Sequence, residues 1–164
     1  MDLSELILNV LSFLMLIVLA WFSFTSVNII VTILKCKRKD KSLKFCFNSG
    51  GKILYIVLCI VFPIIYIGGL VAIIYGLTHD NINMYRVAIN IMALSTLVFS
   101  MAISNVVLLG KKELMVGRML IDYRKMKKVS FGLDDKITFV FSQKEYSFST
   151  RFADITEIKK AVKR

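Results

Sequence analysis

Apolar residues follow two patterns along this chain. The first two thirds hold three long uninterrupted runs, and the last third holds short alternations. The runs cover residues 6–34, 53–77 and 87–110, and none contains Asp, Glu, Lys, Arg or His. Each exceeds the roughly 20 residues with which an α-helix crosses about 30 Å of hydrocarbon. A soluble core helix has no reason to stay apolar on every face for that length, so the runs predict three transmembrane helices.

From Lys111 onward the period changes to two. Val129, Phe131 and Leu133 share one parity, Ile137, Phe139 and Phe141 repeat it, and Tyr146 and Phe148 follow. Alternation in β-branched and aromatic residues predicts half-buried strands. Asp134 with Asp135, and Gln143 with Lys144, fall where an antiparallel meander needs turns. Within 113–128, two short strands around a turn at Gly117 and Arg118 are favoured over an amphipathic surface helix, because glycine suits a turn and weakens a helix. Asp154, followed three residues later by Glu157, has capping-box spacing. It predicts a final helix over 154–163 with Ile155, Ile158 and Val162 on one face. Lys159, Lys160, Lys163 and Arg164 load its C-terminal end, where the helix dipole favours cations. The predicted fold is an integral membrane α-helical region, 1–110, followed by a small α+β cytoplasmic domain, 111–164.

The stretch around Gly117, with apolar Met119, Leu120 and Ile121, then Tyr123, then Met126 three residues further on, resembles a passage of small bacterial PH-like domains that follow membrane helices. The closing amphipathic helix is similar too. The resemblance covers the last third of the chain and implies an antiparallel PH-like sheet with a C-terminal helix. The five strands legible in the sequence are fewer than a full PH-like barrel contains, so the copy reads as truncated. The resemblance supplies no lipid-binding residue and no activity.

Charge sets the orientation. The segment 35–52 carries Lys35, Lys37, Arg38, Lys39, Lys41, Lys44 and Lys52 against Asp40 alone, a net +6, and the tail from Lys111 carries 14 basic and 7 acidic residues. Lys and Arg are retained on the cytoplasmic side. That places the N-terminus and the loop after the second span outside, and the C-terminus in the cytoplasm of a multi-pass plasma-membrane protein. The formal net charge of +11 therefore reads as topogenic and not as a nucleic-acid footprint. Lys35, Lys37, Arg38, Lys39, Lys41 and Lys44 are the expected contacts to anionic inner-leaflet lipid, with Phe45 and Phe47 interleaved.

Within the spans, Gly68, Ala72 and Gly76 recur at intervals of four and predict a close helix–helix face. Thr96, Ser100 and Ser104 do the same for the third span, where hydroxyls in lipid need partners. Both sets are expected in helix packing or in an interface with another membrane protein or a second copy. Catalytic signals are missing. His79 is the only histidine and lies in a short outer loop, and no base, phosphate-binding loop or metal-ligand spacing accompanies the three cysteines. No cofactor is implied. The sequence therefore predicts a non-enzymatic accessory or interaction protein, such as a transport-complex subunit or an immunity protein against a membrane-active peptide. A small homo-oligomeric channel or transporter is the alternative.

Overall fold

The computed structural model describes residues 3–132 and 135–162. The chain divides into two compact units, Met1–Val27 with Ile56–Met101, and Asn28–Tyr55 with Ala102–Arg164. Helices α1 (Leu3–Lys39), α2 (Ser49–Thr78) and α3 (Ile82–Ser104) are long and apolar enough to cross a membrane. The 37 residues of α1 span about 55 Å at 1.5 Å per residue, well beyond the hydrocarbon thickness.

In the first unit burial falls mainly on α3. One face, Ala88, Ile89, Met92, Ala93, Thr96 and Ser100, is buried, while its other face, with Ile91, Leu94 and Val98, and most of α1 and α2, with Trp21, Phe24 and Ile64, expose apolar side chains. Exposed apolar surface on that scale is what a lipid solvent tolerates and water does not. A tight turn joins α2 to α3. Asn81 donates its main-chain N–H to the Gly76 carbonyl at 2.8 Å. Its side-chain oxygen accepts from Met84 N at 3.1 Å, capping α3. Phe62 stacks on Phe99 with ring centroids 4.1 Å apart.

The second unit is built on two antiparallel sheets. The first has the order β1 (Lys44–Phe45), β2 (Val107–Leu109), β3 (Glu113–Val116), β4 (Met119–Asp122); the second has β5 (Lys127–Phe131), β6 (Lys136–Phe141), β7 (Lys144–Ser149). Helix α4 (Ile155–Val162) closes the chain. Pairing of Leu109 with Leu114 and of Leu114 with Ile121 sets these residues on one face of the first sheet. There Val107, Leu114 and Ile121 join Ile137 and Phe139 of β6, Ile158 of α4, Ala153 and Cys46 in one core. On the opposite face Leu108 and Met115 pack with Ile29 and Ile33 of α1, Leu43 and Val106 in a second core. The central strands β2 and β3 are therefore covered on both sides.

Several elements differ from the sequence reading. The third apolar run does not stay helical to residue 110: α3 stops at Ser104 and Val107–Leu109 is β2. A strand buried on both faces is apolar without alternation, so it merges in sequence with the span before it. The helix α1 continues through Lys35, Lys37, Arg38 and Lys39, which shortens the expected 35–52 loop. That loop also supplies β1, paired to β2 through Lys44 with Leu109 and Phe45 with Leu108. The sheets thus hold two strands, β1 and β2, from outside 111–164. The hairpin turn between β6 and β7 falls on Ser142 and Gln143, one residue earlier than expected, with φ of 49° and 65°. The two-strand reading of 113–128 matches β3 and β4, joined at Gly117 with φ +55°. Leu133, Asp134, Lys163 and Arg164 lie outside the described residues.

Candidate interaction surface

The basic residues gather where α1 ends and β1 begins. Lys35, Lys37, Arg38, Lys39, Lys41 and Lys44 are all exposed. The Lys37 ammonium lies 4.8 Å from the centre of the Phe45 ring. Phe45 is exposed and stacks on Phe47 at 5.5 Å, which stacks on Tyr55 at 4.5 Å. The Tyr55 hydroxyl donates to the Ala102 carbonyl at 2.8 Å, so the aromatic ladder is anchored at the end of α3. An exposed ring flanked by ammonium groups presents apolar and cationic surface together, the combination that suits the headgroup boundary of an anionic leaflet.

Local hydrogen bonds hold this surface in place. The Asp40 carboxylate accepts from the Ser42 main-chain N–H and from its hydroxyl, both at 2.8 Å, and these bonds keep it below the usual carboxylate range. The Ser42 hydroxyl accepts in turn from Lys111 N at 3.0 Å, tying the segment before β1 to the one after β2. Asn48 caps α2: its side-chain oxygen accepts from Gly51 N at 2.6 Å. Its amide donates to the Arg151 carbonyl at 2.9 Å. Two distant stretches of sequence are thus joined at one residue.

Cys46 follows β1 and is buried, while Cys36 is half-buried and Cys59 exposed. Its Sγ lies 3.4 Å from the Asp154 carbonyl and 3.7 Å from Glu157 Oε2. Burial pushes this thiol up to about 11, assisted by the neighbouring acidic groups. A thiol held protonated in a core is a packing group and a poor nucleophile. At the start of α4 the Asp154 carboxylate accepts from the Thr156 hydroxyl at 2.5 Å and from Glu157 N at 3.3 Å, which lowers its pKa.

The small-residue face of α2 is divided. At Gly76 an added Cβ would stand 3.0 Å from Tyr85 N, a close backbone approach. Gly68 meets nothing within 4 Å, and the close contact falls instead to Gly69, against the Met92 side chain. The interval-of-four reading is therefore offset by one residue at its first position. Ala72 is half-buried between them. Of the hydroxyls on α3, Thr96 and Ser100 are buried, and Thr96 donates to the Met92 carbonyl at 2.7 Å. Ser104 is exposed at the helix end.

The roles of Gly69, Asn48 and Cys46 were not legible. Asn48 before two glycines reads as a turn, and only the approach of residues 151–152 makes it a clamp. No known protein family, curated protein or solved structure matches the chain.

Proposed function

We propose that this chain is a non-enzymatic integral membrane accessory protein that presents a basic α+β unit at the inner leaflet and works by packing on another membrane protein. The observation that carries the reading is the patch at the end of α1, where Lys37 lies over the exposed Phe45 ring beside a row of exposed basic residues. Exposed cations next to an exposed aromatic ring are the surface that a membrane–water interface accommodates, which supports contact with the leaflet. The positive-inside rule makes that side the cytoplasm. Sheets of four and three strands followed by α4 support a PH-like fold for this unit, with its first strand contributed from between two spans. A transport-complex subunit and an immunity protein against a membrane-active peptide both remain within this class.

The runner-up, a homo-oligomeric channel or transporter, would turn the α3 hydroxyls toward water. Burial of Thr96 and Ser100 inside the first unit weighs against it. The experiment has two arms on the full chain. In intact cells an impermeant thiol reagent is expected to reach a cysteine replacing Asn81 and to miss Cys36; labelling of Cys36 overturns the orientation. In mild detergent the tagged protein is expected to bring down a second membrane protein at fixed stoichiometry. A closed homo-oligomer that conducts ions in liposomes overturns the accessory role.

A further inference from the structure

Two cavities of the first unit meet at the α2–α3 turn. One is an apolar groove of about 600 Å³ between the two helices. Its α2 wall is Gly68, Gly69 and Ala72, and its α3 wall is Val87, Ala88 and Ile91. The other is a cleft of about 500 Å³ at the turn itself, holding His79, Asp80 and Arg86. Asn81 and Asn83 line both, so an apolar trough opens directly onto a polar, charged mouth. Small-ligand sites have this combination of apolar lining and a few placed polar groups, in clefts of about 300–1,000 Å³.

We propose that groove and cleft together form a binding site for one phospholipid with a zwitterionic headgroup. An acyl chain lies along Gly68 and Ala72, the phosphodiester faces Arg86, and the headgroup ammonium faces Asp80. The two charges of the mouth are opposite in sign, which complements a zwitterion and not a purely anionic head. Arg86 is half-buried and gives one guanidinium N–H to the Asn9 side-chain oxygen at 2.6 Å. That bond orients a group with five donors, whose fork suits an oxyanion. His79 also lines the mouth and is held by a tilted ring contact with Tyr75, with ring centroids 4.3 Å apart. A transmembrane helix docking in the same groove would cover Gly68 and Ala72 but leave the charged mouth without a counterpart. The amphiphile matches both halves.

The test uses delipidated full-length protein and native mass spectrometry, with dioleoylphosphatidylethanolamine as probe. A single lipid adduct is expected, with clearly weaker adducts for dioleoylglycerol, which lacks the head, and for glycerophosphoethanolamine, which lacks the chains. Gly68→Leu is expected to abolish the adduct while leaving the thermal melt unchanged, because a Cβ there meets nothing within 4 Å and Gly68 lines the groove. Arg86→Gln is expected to erase the preference for phospholipid over diacylglycerol. Arg86→Lys, which keeps a cation at the mouth, should retain that preference and so separates headgroup recognition from a folding effect. Equal binding of phospholipid and diacylglycerol by the unmodified chain overturns the proposal, as does an adduct that survives Gly68→Leu. So does dissociation of a dimer by Gly68→Leu with lipid retained, which would make the groove a contact between copies.

Discussion

An added Cβ on Gly51 would overlap the main-chain carbonyl of Phe152. The first turn of α2 therefore lies directly against the segment that leads into α4, and Asn48 N donates to that same carbonyl at 3.2 Å. Gly51→Ala is expected to lower the thermal midpoint in detergent, at a cost of about 1–3 kcal/mol, the range for forced overpacking. Gly50→Ala is the control, since its Cβ would make only an ordinary 3.7 Å contact with the Asn48 side chain. Equal effects of the two changes would contradict the close approach.

The strand β2 makes a second prediction. Leu108 and Phe139 are buried in separate cores on opposite sides of the first sheet. Leu108→Ala should destabilise by about 2–5 kcal/mol and Phe139→Ala by about 3–5 kcal/mol, as deletions in close-packed cores do. Were 107–109 a lipid-facing end of a span, Leu108→Ala would be nearly silent. Denaturation of the full chain, followed by circular dichroism, distinguishes these outcomes.

The β6–β7 hairpin carries removable strain. Ser142 and Gln143 both have positive φ, the signature of a type I′ turn, which favours glycine at its second central position. Gln143→Gly should raise stability by about 1 kcal/mol, the order of the left-handed penalty for a side chain. Ser147→Ala, at an exposed position of β7, should be near neutral. A fall in stability for Gln143→Gly would show that this side chain contributes something other than turn geometry.

Cys46 predicts a pH window. Its folded-state pKa is raised from 9.0 to about 11, so folding favours the protonated thiol. Its contribution is fully present below pH 9 and is lost as pH rises through about 11, because the unfolded chain releases the proton first. Denaturation midpoints should fall more steeply over this window in the unmodified protein than in Cys46→Ala. Parallel slopes for the two proteins would remove the thiol as the cause.

Gly76 is predicted to be intolerant and Gly68 tolerant of Leu. A side chain at Gly76 would press on the Tyr85 backbone, which has no rotamer to give, whereas Gly68 opens onto the groove. Gly76→Leu should separate the start of α3 from α2 and lower the melting temperature by several degrees. Matching melts for the two variants would mean that the helices do not meet at Gly76.

The sequence by itself determined the three apolar helices, the alternating strands β5 to β7, the turn at Gly117 and the cap at Asp154. Each is written in local terms: an unbroken apolar run, a period of two, a glycine, a carboxylate three residues ahead of a partner. Tertiary structure decided the rest. Val107 to Leu109 are apolar because both faces of β2 are covered, and from sequence that looks the same as being apolar because lipid surrounds them. Lys44 and Phe45 become a strand only because residues from beyond two further helices come alongside with free backbone groups to pair. The close contact at Gly69 in place of Gly68, and the groove left between the two helices, depend on how α2 and α3 are rotated against each other. No spacing along one helix fixes that rotation; it follows from which side chains interlock across the pair.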